Sequence, residues 1–398
     1  MSPIRLLERG VRDLIKRPQG NVPALDALRS LAILLVFSTH FADEFKASQR
    51  VVKFPFFYYG WSGVDLFFVL SGFLIGSQLW KELGKSGRIH IGTFLLRRGL
   101  RIWPLYFSFC ALILGEVVFG GRSGSGLLAD CTFLSNYFHN QVGGSWSLST
   151  EEQFYILAPV LISLFAIKLR PQRLWVVPAL GLLIPIGARF FVVASSGLPR
   201  RDLQQVLYFP IHTHSDGLAV GLFLAWMTSF RPDWVRLPRQ RIAIAAVMVA
   251  GGVGLYIINR LVFNFTTVGL IFGAATCCSI GSGKTPGLLN WNGFYLVSRL
   301  SYGLYLNHFG ILPRLYAVLG HFRIAGGEPG FWICYLVAFA ICLSFAAVTF
   351  VVIENPFLEL RARWLTSKRA TQPPGRAVIG TPVYVREQTD EAAESPGA

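Results

Sequence analysis

The chain is poor in charge, poorer still in acid, and nearly devoid of methionine. Only 15% of its 398 residues are Asp, Glu, Lys or Arg, while 53% are hydrophobic. Soluble domains keep about a quarter of their residues charged. A single soluble globule is thereby excluded, because too few charged groups remain to cover its surface. Cysteine is also sparse. The six residues (Cys110, Cys131, Cys277, Cys278, Cys334 and Cys342) show no C-x-x-C spacing and lie mostly in apolar runs. They read as small core residues, and neither a disulfide framework nor a zinc site is expected. Acid is scarce enough, with 21 Asp+Glu against 37 Lys+Arg, to leave a net charge of +16. Such an excess suits nucleic acid when it covers a soluble face. Here it sits in short loops between apolar runs, as the positive-inside rule requires, so no nucleic-acid partner is expected.

What is abundant is apolar sequence, with a mean hydropathy of +0.49. Ten candidate spans lie near 24–44, 58–80, 102–120, 152–168, 174–194, 206–228, 242–262, 264–281, 296–318 and 331–353. Each approaches the ~20 residues that cross ~30 Å of hydrocarbon. The first begins near residue 24 and is too long for a signal-peptide core, so no secretory signal is expected. The spacing predicts an all-α, polytopic bundle of about ten transmembrane helices. A basic segment (1–22) precedes the membrane domain (23–358), and a polar tail (359–398), disordered over 365–398, follows. Loop charge sets the orientation. Arg5, Arg9, Arg12, Lys16 and Arg17 precede the first span, Lys81, Lys85, Arg88, Arg97, Arg98 and Arg101 follow the second, and Lys168, Arg170 and Arg173 follow the fourth. Arg231, Arg236, Arg239 and Arg241, then Lys284, then Arg361, Arg363, Lys368 and Arg369 continue the series on that side, with Arg200, Arg201 and Arg260 as exceptions. Both termini are therefore expected in the cytoplasm of a multi-pass protein of the cell membrane.

The first span, ALDALRSLAILLVFSTHF (24–41), holds Arg29 and His40, 11 residues apart. On a helix they share one face with a climb of about 16 Å between them. Ionisable groups inside a membrane helix are costly, which makes a functional pair the default reading. The purely structural reading is a snorkelling arginine and a histidine bonded to a neighbouring helix. Asp26 is placed to serve as the ion partner of Arg29. The second span, YGWSGVDLFFVLSGFLIGSQLW (59–80), carries Gly60, Gly63, Gly72 and Gly76, suited to close helix packing, and Asp65.

Further motifs follow. In FLLRRGLRIWPLYF (94–107), Arg97, Arg98 and Arg101 share a helical face. They read either as topology and headgroup contacts or as a clamp for the phosphates of a cytosolic donor. In SWSLSTEEQFYILAPVL (145–161), Ser149 and Glu152 fit a capping box, Glu151 and Tyr155 share a face, and Trp146 suits the outer interface. HTHSDGLAVG (212–221) has an H-x-H-x-D pattern. Neighbours two apart point about 200° from each other on a helix, so metal ligation by His212 and His214 would need irregular backbone. His308 lies in SRLSYGLYLNHFGI (298–311), and Glu354 before Pro356 marks the end of the last span.

Taken in order, these segments resemble the acyltransferase-3 family of integral membrane acyltransferases, over residues 22–358. The resemblance rests on Arg29 and His40, GVDLFFVLSGFLI (63–75), Arg98, Arg101, Ile102 and Pro104, SWSLSTEEQFY (145–155), SYGLYLNH (301–308) and IENP (353–356). Many relatives carry arginine where His214 stands. His214 keeps polarity there but loses the fixed charge and two-pronged fork. Many also end in a soluble esterase-like domain, for which the tail here is too short, so the chemistry is expected within the membrane domain.

The resemblance implies a membrane O-acyltransferase that moves an acyl group, most often acetyl, from cytosolic acyl-CoA to a hydroxyl. The expected acceptor is an envelope glycan, glycolipid or other carbohydrate. Acyl-CoA is then a donor substrate, and no bound cofactor or metal is expected. His40 is expected as general base or transient acyl carrier. Arg29 would orient the donor or stabilise negative charge. Arg97, Arg98 and Arg101 would hold the donor, and Glu151 and His308 would orient His40 or the acceptor. Two other classes fit intramembrane charge: a transporter or flippase, opposed by the absence of an inverted repeat, and a metal-dependent hydrolase built on residues 212–216.

Overall fold

The computed structural model describes residues 3–18, 20–45, 54–121, 123–280, 287–321 and 327–370. Among the described residues, thirteen helices longer than two turns carry the fold: α1 (Pro3–Ile15), α2 (Pro23–Glu44), α3 (Gly63–Ser86), α4 (Ile91–Gly120), α5 (Ser145–Ala166), α6 (Val176–Ser195), α7 (Arg200–Tyr208), α8 (Asp216–Phe230), α9 (Pro238–Ile258), α10 (Arg260–Ser279), α11 (Asn292–His321), α12 (Gly327–Thr349) and α13 (Asn355–Ala370). Among the described residues there is no strand, as the all-α expectation requires. Local signals set the ends. Pro23 and Pro238 occupy first-turn positions where no N–H is needed. Gly87 (φ 69°) and Gly121 (φ 70°) close α3 and α4 in the left-handed conformation.

Among the described residues, seven helical stretches are able by length and composition to cross a membrane. They are α2, α3 with its preceding turn, α4, α6 with its preceding turn, α9, α10, and the run from Glu328 to Trp364. The expected count of ten is not reached on that measure. The other three expected spans fall on α5, α8 and α11. α8 is only 15 residues, about 22 Å of rise. The span expected at 206–228 is broken between Tyr208 and Asp216. The Pro210 carbonyl accepts from the Thr213 and His214 amides and from Thr213 Oγ1, which makes a turn where a continuous helix was expected.

α8 is buried along nearly its whole length and lies against α3. Glycines on both helices make this possible. A Cβ on Gly221 would come within 2.1 Å of the Val69 carbonyl, and one on Gly72 within 2.2 Å of the Leu218 carbonyl. The small residues of the second span therefore serve close packing. α2 and α11 pack together on the other flank of α3. The outward faces of α4, α6 and α9 expose large apolar side chains, including Phe119, Phe191 and Ile257, as a lipid-facing surface should.

Two further expectations are corrected. Glu354 and Pro356 do not end the last helix: α12 passes through a π-helical turn (Phe350–Glu354) into α13, which runs to Ala370. Proline is tolerated here because it falls in the first turn of α13. The Arg363–Glu359 pair (3.7 Å) lies on α13 where it continues past the expected boundary at 359. Lys284 and residues 371–398, the remainder of the expected tail, lie outside the described residues.

Candidate active site

Helices α2 and α11 bring His40 and His308 together. His308 Nε2 lies 3.1 Å from His40 Nδ1, and His308 Nδ1 lies 3.0 Å from the Leu304 carbonyl. The carbonyl can only accept, so it holds the His308 proton on Nδ1. A neutral His308 must then accept at Nε2, which places the His40 proton on Nδ1. His40 Nε2 is left with a free lone pair. His308 is fully buried, and His40 is only partly so. The Phe309 ring packs 4.5 Å from the His40 ring. The N-terminus of α5 closes on the same aromatic face. The Gly144 carbonyl accepts from Tyr305 Oη (3.0 Å), whose hydroxyl also meets Ser147 Oγ (2.6 Å).

One helix face below, the arginines gather. Arg29 is partly buried. It stands within electrostatic reach of Arg101, Asp26, Glu151 and Tyr155. The Arg98 guanidinium lies 6.0 Å from both the Phe94 and Tyr155 rings. Tyr155 Oη donates to Glu151 Oε2 (2.6 Å) and meets Ser71 Oγ (3.1 Å). Buried Glu354 is within electrostatic reach of Arg101 and Arg299, and the Arg361 guanidinium donates to the Arg97 carbonyl at 3.4 Å. Arg29, Arg98 and Arg101 make no side-chain hydrogen bond or ion pair with any described residue. Arg29 and Arg98 are partly buried and Arg101 is exposed, and no carboxylate of a described residue is hydrogen-bonded to their guanidinium forks.

Several expected roles shift. Glu151 faces the arginines and Tyr155, not His40. Asp26 hydrogen-bonds Asn21 Nδ2 (2.5 Å) and Ser298 Oγ (2.9 Å) and reaches Arg29 only through the field. The capping box is overturned because α5 starts four residues earlier, at Ser145. Its Ser149 meets Ser135 Oγ at 2.7 Å, and Glu152 accepts from Trp103 Nε1 at 3.2 Å. The early start is imposed by buried Asp130, which accepts from the Gln141 and Val142 amides (2.7 and 3.1 Å) and from Ser145 Oγ (2.7 Å), and by Gly144 at φ 72°. The backbone at 212–214 is irregular, but His212 and His214 diverge. His212 Nδ1 bonds Tyr137 Oη (2.9 Å), while His214 Nε2 bonds Asp65 Oδ1 (2.9 Å).

The sequence reading missed Arg189. Its guanidinium is fully buried and grips Asp216 with two bonds (2.7 and 2.8 Å), with further bonds to Thr213 O, Val262 O and Thr266 Oγ1. All five donors are used. The available signal was an arginine near the end of an apolar span, the same signal that marked Arg29. Arg299 was likewise missed, since it sits inside a motif read for Tyr305 and His308.

The fold and these centres define a polytopic helical membrane protein in which a partly buried histidine on α2 meets a buried histidine on α11, with a separate group of arginines on α2 and α4. Residues 22–351 match the acyltransferase-3 family, described as an acyltransferase domain, and the chain belongs to that family. It is similar to the peptidoglycan O-acetyltransferase OatA of Listeria monocytogenes, at 26% identity over 369 residues, 84% of this chain and 55% of the relative. A putative O-acetyltransferase of Staphylococcus aureus strain COL is 24% identical over 370 residues, 84% of this chain and 57% of the relative. The O-acetyltransferase OatA of Staphylococcus aureus is 23% identical over 366 residues, with the same shares of each chain. The chain thus spans little more than half the length of these curated relatives. No solved structure matches it.

Proposed function

We propose that this chain transfers an acetyl or other short acyl group from acyl-CoA to a hydroxyl of an envelope glycan or glycolipid. The observation that carries the reading is the division of labour along α2. A histidine with a free Nε2 lone pair stands about 16 Å, three helical turns, from an arginine facing other unpaired arginines. Phosphates of the donor rest on Arg29, Arg98 and Arg101. The pantetheine arm extends along the interior, so that the thioester lies at His40. His40 Nε2 takes the proton of the acceptor hydroxyl as its oxygen attacks the thioester carbonyl. The C–S bond breaks, and the departing thiolate takes that proton from His40. His308 holds His40 in the tautomer this step needs. The arginines lie on the side that loop charge makes cytoplasmic, and His40 lies toward the outer side, where an envelope acceptor would enter. The Listeria relative's name, peptidoglycan O-acetyltransferase, supports a glycan acceptor.

The test is transfer of radiolabel from acetyl-CoA to glycan fragments by the purified protein in detergent. Label transfer that depends on His40 is expected. Binding without label transfer would favour the transporter reading, since a transporter needs a sealed membrane and forms no product.

A further inference from the structure

A separate cationic cleft lies outside the histidine and arginine centres. The connection between α5 and α6 and the end of α8 enclose a cleft of about 640 Å³ lined by Lys168, Arg170, Arg173, Trp175 and Arg231. The cleft shares no residue with the group of Arg29, Arg98 and Arg101 and has no acidic residue in its lining. None of its four cationic side chains makes a hydrogen bond or ion pair with a described residue. Arg231 stands 5.5 Å over the Trp234 ring, and its Nε is buried without a partner. A desolvated donor of this kind is costly unless an acceptor reaches it.

The cleft is held in shape by its own foundations. Trp226 Nε1 donates to the Pro171 carbonyl at 3.0 Å and ties the connection to α8. Leu174 is completely buried beneath it. Above, Trp175 is 46% exposed at the start of an apolar helix, the level where tryptophan meets lipid headgroups. Four cations at the mouth of two membrane helices, with an interfacial tryptophan beside them, have the chemistry of a phosphate ester joined to an apolar tail.

We propose that this cleft binds the phosphate headgroup of an anionic phospholipid of the cytoplasmic leaflet, with Trp175 against its glycerol and upper acyl chain. Arg231 supplies the buried donor, and Lys168, Arg170 and Arg173 neutralise the headgroup. The proposal is independent of the acyl-transfer reading.

The experiment uses the full chain in micelles doped with phosphatidylglycerol or phosphatidylcholine, with bound lipid counted by native mass spectrometry. The wild type should retain one phosphatidylglycerol and no phosphatidylcholine. The combined variant Arg170→Gln, Arg173→Gln, Arg231→Gln should bind phosphatidylglycerol on the order of a hundredfold more weakly. Trp175→Ala keeps all four charges and should weaken the lipid severalfold while leaving inorganic phosphate binding unchanged. Equal retention of both lipids, or of phosphatidylglycerol by the triple variant, overturns the site. Displacement of the lipid by millimolar inorganic phosphate, with Trp175→Ala silent, overturns the lipid as its ligand.

Discussion

His308 donates to the Leu304 carbonyl at 3.0 Å and receives His40 Nδ1 at 3.1 Å, and His40 also has the Val36 backbone as a partner, so carbonyls on α11 and α2 together set which nitrogen of His40 is free. The relation is directional. His40 has the basic nitrogen, and His308 has none to spare.

That asymmetry separates the two histidines in a mutational test. His40→Ala should reduce acyl transfer by about 10²–10⁴-fold, the span of general-base effects, while the protein still inserts and purifies normally. His308→Ala should reduce kcat by about 10–100-fold, the loss typical of a residue that orients another, with little change in the donor KM. Equal residual activity in the two variants would mean that the dyad has no such polarity.

Arg98 lies against Tyr155 with no carboxylate on its guanidinium, as a phosphate-holding residue should. Arg98→Ala should raise the KM for acetyl-CoA by at least about tenfold, the scale of one charge-assisted contact, and leave the acceptor KM within about twofold. Arg98→Lys keeps the charge but not the fork and should fall between. Steady-state kinetics with each substrate varied in turn decides the matter.

The Arg189–Asp216 pair has the opposite character, since every donor is already used within the protein. Arg189→Met should destabilise by about 3–5 kcal/mol through the carboxylate left buried at Asp216. Adding Asp216→Leu should recover part of the loss. Thermal melts followed by size-exclusion chromatography would show it. An Arg189→Met protein as stable as the wild type would rule out the structural role.

The seam between α3 and α8 is a packing prediction. Gly221→Val puts atoms where the Val69 carbonyl already stands, 2.1 Å from an added Cβ. It should cost about 1–3 kcal/mol or more. Gly251→Ala, on α9, adds a Cβ with nothing within 4 Å and should be neutral in the same melt.

Asp130 makes the last case. Its carboxylate accepts two amides and Ser145 Oγ, and it thereby sets the start of α5. Asp130→Ala should lower stability by about 2–4 kcal/mol, since hydrogen bonds to a charged group are lost. Activity should fall with it, because Ser147 at that helix start meets Tyr305, which stands beside His308.

Much of the molecule was determined by the sequence alone. Apolar runs of about 20 residues satisfy their backbone in lipid as helices, so the all-α class and the approximate positions of most of the long apolar helices followed from hydropathy. The shared face of Arg29 and His40 followed from helical period, and the structure places His308 in hydrogen-bonding contact with His40. Three things waited for tertiary structure. Glu151 faces the arginines because α5 begins at Ser145, and that start depends on Asp130, fifteen residues earlier in the short helix Leu127–Cys131. The break before Asp216 depends on carbonyls of Pro210 finding donors within a turn. Arg189 is a filled structural pair and Arg98 an unfilled binding fork, although both are arginines near the ends of apolar spans. Periodicity says which face a side chain leaves. Whether a carboxylate waits there is settled by the packing of helices distant in the chain.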